Sequence, residues 1–202
     1  MFKKVVFLLI VLLVAAHPTK AQKEYHANDS DLKVDPSTVC ALSVARMEEK
    51  YGIKKHLLET IASVETGLWD YNKEAFVSWP WSVNVNGKGY RFASKDEAVA
   101  KVKSLQKEGY TSIDVGCMQI SLKFHADSFE SVEAAFDPDT NVEYSAKFLK
   151  NLYNKKGNWQ KAAMAYHSKV LVHASIYKEK LLKRFNEMKV AFLDNDQNLS
   201  LF

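Results

Sequence analysis

Glu65 is the residue whose type and position best fit a catalytic role. It lies within Ile61-Ala62-Ser63-Val64-Glu65-Thr66-Gly67 and would project between Leu58 and Ile61 if this segment is helical. At about 100° per residue, an apolar stripe of such a helix contains Leu57, Leu58, Ile61, Val64 and Leu68. A carboxylate on a buried helix face is unusual unless it is paired, protonated or catalytic. The pattern therefore leaves two interpretations, a structural glutamate bonded to a nearby donor and a functional acid.

Other kinds of catalytic chemistry have no clear signal in the sequence. The histidines are scattered without metal-ligand spacing, and neither a glycine-rich phosphate loop nor a Gly-x-Ser-x-Gly motif is present. We therefore predict no metal site. What remains is a carboxylate in apolar surroundings together with aromatic residues and polar amides, a combination typical of carbohydrate-processing sites.

Two further acids, Asp70 and Asp114, are candidates for the second carboxylate that a hydrolase of either stereochemistry needs. We interpret Asp70 as a solvated loop residue, because it follows the helix-ending Gly67. We interpret Asp114 as structural support for the turn at Gly116. The aromatic segment Trp79-Pro80-Trp81 is predicted to form either a satellite core or a wall on which a ring-shaped ligand stacks.

The N-terminal residues have the pattern of an export signal. Residues 1–21 combine Lys3 and Lys4 with an apolar run and a small-x-small cleavage site, which predicts a secretory signal peptide, with an uncleaved anchor as the alternative. Residues 22–34 are predicted to be a flexible lead-in. The leader contains three lysines and no acids, so the 28 basic and 24 acidic residues of the chain become 25 and 24 after cleavage. This balance gives no reason to expect binding to nucleic acid or stable membrane insertion of the mature protein.

The two cysteines are Cys40 and Cys117. In an exported and oxidising compartment, an even pair predicts one disulfide, and the alternative is that one of them is a reactive thiol. A bridge would close a loop of nearly 80 residues.

The remaining chain predicts one mainly α-helical (α+β) domain over residues 35–190, followed by a polar and frayed tail over residues 191–202. Asn86-Gly87 between two alternating segments predicts a β-hairpin. Helices are predicted at 36–51, 54–66, from Ser94 to Gly109, at 129–136, from a cap at Thr140 or Asn141 to Gly157, at 159–166 and at 175–190.

Three motifs, in order and spacing, resemble the soluble lytic transglycosylase family. They are Ile61-Ala62-Ser63-Val64-Glu65-Thr66-Gly67, Gly116-Cys117-Met118-Gln119-Ile120 and Ala165-Tyr166-His167-Ser168. The resemblance covers about Pro36 to Tyr177 and is closest to a small, single-domain periplasmic subgroup. It implies a lysozyme-like, goose-type helical domain with a small β-hairpin, acting on peptidoglycan glycan strands.

By this resemblance Glu65 is the sole catalytic acid and base, and no metal or organic cofactor is required. It first protonates the glycosidic oxygen between N-acetylmuramic acid and N-acetylglucosamine, and then takes a proton from the muramyl 6-hydroxyl, which closes a 1,6-anhydro ring. The resemblance further implies substrate-binding roles for Thr66, Gly116, Met118, Gln119 and Tyr166, with Tyr166 as the tyrosine that hydrogen-bonds the glutamate. Core packing is the alternative for Met118.

Two residues depart from the family pattern. Thr66 replaces the usual serine and keeps the hydroxyl, whereas His167 replaces the usual asparagine, so the role of that amide cannot be transferred. Three alternative functions stay open: a lysozyme-like muramidase, a thiol hydrolase that uses Cys117 with His125 or His167, and a non-catalytic peptidoglycan-binding module.

The resemblance also bears on partners and location. It predicts an exported, periplasmic monomer that serves wall turnover or the passage of a secretion or conjugation apparatus. The sequence does not choose between these pathways.

Overall fold

The computed structural model describes residues 35–192 and 200–202. The predicted signal peptide, the lead-in at 22–34 and residues 193–199 of the tail lie outside the described residues. In the described part, the helices are α1 Pro36–Tyr51, α2 Leu57–Thr66, α3 Lys95–Lys107, α4 Leu122–His125, α5 Val132–Ala135, α6 Pro138–Lys156, α7 Trp159–His167 and α8 Leu171–Phe192. The strands are β1 Leu68–Asp70, β2 Ala75–Val77, β3 Ser82–Val85, β4 Lys88–Arg91, β5 Ile113–Val115 and β6 Ile120–Ser121, and a short 3-10 helix spans Ala126–Ser128.

The predicted hairpin is confirmed as β3 and β4. Asn86 and Gly87 connect the two strands with φ values of 50° and 85°, the left-handed conformations that a two-residue turn between twisted strands requires. β3 also pairs with β5, and β5 pairs with β6, which gives an antiparallel sheet in the order β4-β3-β5-β6. A separate pair, β1 with β2, was not predicted.

Helix ends follow local capping chemistry. Asp35 accepts a hydrogen bond from the Ser37 N–H and caps α1, which covers the predicted range 36–51. The prediction of a cap at Thr140 or Asn141 for α6 is wrong, because Asp137 accepts from the Thr140 N–H and Pro138 occupies the first turn. Proline suits that position because a first-turn residue needs no N–H donor.

Other boundaries also differ from the prediction. Helix α2 begins at Leu57 instead of residue 54, because His56 has a left-handed φ of 65°. Helix α8 begins at Leu171 rather than 175, and the helix expected at 129–136 shrinks to α5. Short turns of helix at α4 and the 3-10 segment were not predicted.

Two groups of buried side chains form the core. One group joins α1, α2, α6, α7 and α8, and the other packs α3 against the sheet. The chain end belongs to the first group, since Leu201 is only 2% exposed. The tail is therefore anchored at its last residues, which differs from the frayed end that its polar composition suggests.

The mainly helical class with a small antiparallel sheet is confirmed. None of the helices in the described part has both the length and the apolar character needed to cross a membrane.

Cys40 and Cys117 form a disulfide between α1 and the segment that follows β5. Both residues are fully buried. The bridge consumes both thiols, so the thiol-hydrolase alternative, which needs a free Cys117, is excluded in this structure.

Replacing both cysteines with alanine should lower the free energy of unfolding by about 4 kcal/mol, because the bridge joins residues 77 positions apart. Denaturant unfolding monitored by circular dichroism measures the change. The unmodified protein under reducing conditions is the matched control and should lose a similar amount. An unchanged unfolding midpoint in both cases would show that the bridge adds nothing to stability.

Candidate active site

Helix α2, which carries Glu65, is fixed at its N-terminal end by Glu48 of α1. The Glu48 carboxylate accepts hydrogen bonds from the backbone N–H groups of His56 at 2.9 Å, Leu58 at 2.7 Å and Glu59 at 3.1 Å. These donors are the unpaired N–H groups of a helix start, and an anion there also suits the helix dipole. Burial raises the pKa of Glu48, and the three hydrogen bonds oppose that rise.

The C-terminal end of α2 is fixed by Arg184 of α8. Its guanidinium donates to the Ser63 carbonyl at 2.7 Å and to the Ser63 hydroxyl at 2.8 Å, and it lies 3.6 Å from the centroid of the Phe76 ring. Gly67 follows directly and leaves no room for a side chain, because a Cβ would come within 2.3 Å of the Ser63 carbonyl oxygen. Glycine is therefore required where the chain leaves the helix.

Thr66 joins α2 to three other segments. Its hydroxyl lies 3.2 Å from the carbonyl oxygens of Ala62 and Cys117, and it accepts from the Trp79 N–H at 3.2 Å. The Arg91 guanidinium donates to the Thr66 carbonyl. Thr66 is only 7% exposed, and its hydroxyl and carbonyl are used in contacts within the protein. Its predicted contact with substrate stays a prediction.

The segment Gly116–Gln119 is held by the buried side chain of Asn141. The Asn141 amide accepts from the Met118 N–H at 3.0 Å and donates to the carbonyl oxygens of Val115 at 3.1 Å and Ala135 at 2.9 Å. A Cβ on Gly116 would lie 2.4 Å from the Asn141 nitrogen, and Gly116 has a φ of 80°. Glycine at position 116 therefore makes room for Asn141, and the substrate-binding role implied for Gly116 stays a prediction.

Met118 and Gln119 occupy different environments in this turn. Met118 has no exposed surface and packs in the helical core, which matches the packing alternative. Gln119 is half-buried with a φ of 45°, and its amide donates to the carbonyl oxygens of Ser82 at 3.3 Å and Gly116 at 3.1 Å. Gln119 thus has accessible surface next to the site, whereas the Met118 side chain has none.

Glu65 is half-buried, and Tyr177 of α8 holds its carboxylate. The Tyr177 hydroxyl donates to Glu65 Oε1 at 2.7 Å. Burial raises the pKa of Glu65 to about 7, the negative charge of Asp114 adds to the rise, and the Tyr177 hydrogen bond and the charge of Lys180 oppose it. Near neutral pH the carboxyl is therefore divided between its acidic and basic forms, as a group that both donates and accepts protons requires.

The hydrogen bond expected from Tyr166 to Glu65 is made by Tyr177 instead. The Tyr166 hydroxyl donates to the Met118 carbonyl at 3.2 Å and lies 3.1 Å from the Ser145 hydroxyl. The charge of Glu65 contributes to the raised pKa of Tyr166, so the two side chains are still neighbours. Tyr166 therefore links the Gly116–Gln119 segment to α6 beside the acid.

His167, the departure from the family pattern, packs against the tyrosine that binds Glu65. Its ring is stacked on Tyr177 with centroids 4.2 Å apart and planes 3° from parallel. Burial, assisted by the charge of Lys180, lowers the pKa of His167. The imidazole thus supports Tyr177 on the face of its ring.

The two other acids have structural partners, but not in the places predicted: Asp70 ends strand β1 and is half-buried rather than a solvated loop residue, and Asp114 is bonded to Ser121 rather than to the Gly116 turn. Asp70 accepts from the N–H groups of Asn72 at 2.9 Å and Lys73 at 3.2 Å in the β1–β2 turn. Asp114 pairs across the sheet with Ser121, whose hydroxyl bonds its carboxylate, and burial raises the pKa of Asp114. Asp114 is nevertheless close enough for its charge to act on Glu65.

The aromatic segment before the hairpin is partly used in packing. Trp79 donates through its indole N–H to the Phe92 carbonyl at 2.8 Å, and its ring meets Trp81 edge-on at 6.0 Å. Trp81 packs on the sheet core. These contacts favour the satellite-core interpretation, and both rings keep some exposed surface.

Sequence reasoning missed Tyr177, Asn141 and Arg184. Tyr177 and Arg184 have one sequence signal, their helical spacing, since they are seven residues apart and fall on the same side of α8. Asn141 has no such signal. Among the described residues, no group of three or more His, Cys, Asp or Glu side chains is placed to hold a metal ion.

The described domain is mainly helical and holds the half-buried Glu65 on a helix fixed at both ends, and the family match places it in the lysozyme-like class. The family model described as the transglycosylase SLT domain matches residues 43–174, and the chain belongs to this family. The family acts on peptidoglycan, by lytic transglycosylase or lysozyme-like cleavage. No curated protein and no solved structure matched the chain. The matched residues end before Tyr177, so the partner of Glu65 lies just outside them.

Replacing Tyr177 with phenylalanine should raise the pKa of Glu65, because the hydroxyl stabilises the ionised form. Activity that needs protonated Glu65 falls above pH 7, and this fall should move up by about one pH unit. The pH dependence of kcat/KM measures it. Tyr51→Phe, which removes a tyrosine–carboxylate bond to Glu143, is the matched control. A fall at unchanged pH would contradict the assignment.

Replacing Asp114 with asparagine should shift the same fall in the opposite direction. The negative charge of Asp114 raises the pKa of Glu65, so its removal lowers that pKa. We expect a downward move of about half a pH unit in the kcat/KM profile. Asp70→Asn serves as the control, because the Asp70 carboxylate binds the N–H groups of the β1–β2 turn and does not act on the pKa of Glu65. An upward move would show that Asp114 acts in another way.

Proposed function

We propose that this protein is a peptidoglycan lytic transglycosylase that cleaves the β-1,4 bond between N-acetylmuramic acid and N-acetylglucosamine without water. The observation that carries the proposal is the state of Glu65, a half-buried carboxyl with a pKa of about 7 on a helix fixed at both ends. Membership of the transglycosylase SLT family supplies the substrate class.

In the first step, protonated Glu65 donates its proton to the glycosidic oxygen as the bond to the muramyl C1 breaks. The electron pair of that bond leaves with the oxygen, which becomes the 4-hydroxyl of N-acetylglucosamine. The N-acetyl group of the substrate stabilises the positive charge at C1, so no protein nucleophile is needed. Tyr177 then donates to the carboxylate that Glu65 has become, and this stabilises the ionised form.

In the second step, the ionised Glu65 accepts the proton of the muramyl 6-hydroxyl. The oxygen of that hydroxyl forms a bond to C1 and closes the 1,6-anhydro ring, while Glu65 returns to its protonated form. One residue can serve both steps because a pKa near 7 keeps both proton transfers close to balance at neutral pH.

Hydrolysis of the same bond is the second candidate, and Asp114 is the observation that favours it. An ionised Asp114 near Glu65 is the kind of second carboxylate that could activate water. Its hydrogen bond to Ser121 gives it a structural role in the sheet, which supports the non-hydrolytic reaction instead. The two candidates differ in their products and in their dependence on Asp114.

We further propose that the protein is exported to the periplasm and acts there as a monomer on glycan strands. The pattern of residues 1–21 and the Cys40–Cys117 bridge support export, because disulfides persist in oxidising compartments. Service in wall turnover or in the passage of a secretion or conjugation apparatus is the biological role that we propose.

Glu65→Gln should abolish cleavage of purified peptidoglycan, with at least a thousandfold loss expected, roughly what removing an acid/base and its charge does together. Mass analysis of the wild-type digest should show anhydro ends, which are one water molecule lighter than the reducing ends that hydrolysis gives. Glu59→Gln, in the first turn of the same helix, is the matched control and should stay active. Circular dichroism should show the same fold for all variants.

Three results would change the proposal. Undiminished turnover by the Glu65 variant would remove its central residue. Reducing ends, together with loss of activity in Asp114→Asn, would establish the muramidase. Binding of glycan without any cleavage by the wild-type protein would establish a non-catalytic module.

A further inference from the structure

Helix α8 carries a row of side chains past the acid. Tyr177 donates to Glu65, and Arg184 donates to Ser63 on the same catalytic helix. Lys180 lies between them, three residues after Tyr177 and four before Arg184, so the helical repeat places it on the same side of α8. The row therefore brings a lysine next to the candidate active site.

A surface groove of about 210 Å³ opens at this position. Its lining residues come from α2 and α8, namely Val64, Lys180, Lys183, Arg184 and Glu187. Val64 directly precedes Glu65, so the groove borders the helix that carries the acid, although Glu65 itself does not line it.

The other charged residues of the groove already have partners. Arg184 is bonded to Ser63 and also pairs with Glu187 at 3.1 Å, and Lys183 lies 3.9 Å from Glu187. Lys180, by contrast, is exposed and makes no hydrogen bond or ion pair with any residue that the structure describes. It is thus a cation with its full hydrogen-bonding capacity available to a ligand.

The proton transfers assigned to Glu65 do not need this cation. The charge of Lys180 lowers the pKa of Glu65, and so works against the protonated form that begins the reaction. It also contributes to the lowered pKa of His167, after burial, so Lys180 lies within electrostatic range of both Glu65 and His167. A lysine in this position is better explained by a negatively charged group on the ligand.

We propose that Lys180 and its groove bind a carboxylate carried by the muramyl residue, so that the protein selects anionic glycan strands over neutral ones. This inference rests on the proposed function, since peptidoglycan is the source of the carboxylate. Muramyl residues carry it either as the free lactyl group or on the attached peptide stem. Both lie on the side of the sugar away from the ring oxygen, as substituents that a neutral N-acetylglucosamine chain lacks.

The test measures binding to the Glu65→Gln variant. This variant leaves the ligand uncleaved, and any effect of Lys180 on binding then cannot arise through the pKa of Glu65. Three ligands are compared: glycan strands with peptide stems, strands from which an amidase has removed the stems, and neutral N-acetylglucosamine oligomers. Adding Lys180→Gln should weaken binding of a carboxylate-bearing ligand by about fivefold, the size that an exposed charge pair supports. Binding of the neutral oligomers should not change.

Lys178→Gln is the matched control, because Lys178 lies on the same helix and pairs with Glu179 at 3.2 Å. It should leave all three affinities unchanged. The effect of Lys180→Gln should also shrink as salt is raised, since salt screens an exposed charge pair. A loss confined to stem-bearing strands supports the stem carboxylates as the ligand, and a loss confined to stripped strands supports the lactyl group.

Two results would overturn the inference: equal affinities with and without Lys180, or an equal loss on the neutral oligomers. These outcomes are separate from a failure of the proposed function, which is judged by the cleavage products of the wild-type protein. A protein that proved to be a muramidase could still show the carboxylate preference, and a transglycosylase could lack it.

Discussion

The structure depends on one buried amide, the side chain of Asn141. It has no exposed surface, and its hydrogen bonds reach Met118, Val115 and Ala135, which belong to three different segments. A buried amide that lost these partners would cost several kcal/mol, roughly 1–3 for each unsatisfied group. No buried polar side-chain atom in the described ranges is left without a partner. Asn141 thus connects the sheet to the helical core and sets the path of the chain beside the acid.

Helix α2, which carries the candidate acid Glu65, is positioned by charged groups from the preceding helix α1 and from the distant helix α8. Glu48 binds its first N–H groups, and Arg184 binds a carbonyl near its end. The Cys40–Cys117 bridge connects α1, which carries Glu48, to the turn that Thr66 contacts. Fixing both ends of a short helix fixes the direction of Glu65, and a positioned acid needs no rearrangement before it reacts.

Local patterns in the sequence predict features whose causes are local. The apolar stripe around Glu65, the Asn86-Gly87 turn and the Asp35 cap each depend on residues within a few positions of one another. The role of Tyr177 depends on how α8 crosses α2, more than a hundred residues away, and no local pattern reports such a crossing. The pair Asp137-Pro138 can be interpreted in two ways from the sequence, because Asp-Pro can follow the end of one helix or begin the next. In the structure it begins α6. The family resemblance predicts Glu65 as the acid, and it places the tyrosine partner of Glu65 at Tyr166 instead of Tyr177.

The partial burial of Glu65 has a consequence for how often this side chain must exchange a proton with solvent. A buried acid that loses its proton to a leaving group normally waits for another from bulk water before it can act again. In the proposed reaction the proton that Glu65 gives away is replaced by one from the same sugar, so each turnover ends with the side chain as it began. The partial burial that raises the pKa of Glu65 therefore imposes no delay in the proposed reaction, because no proton from bulk water is needed between turnovers.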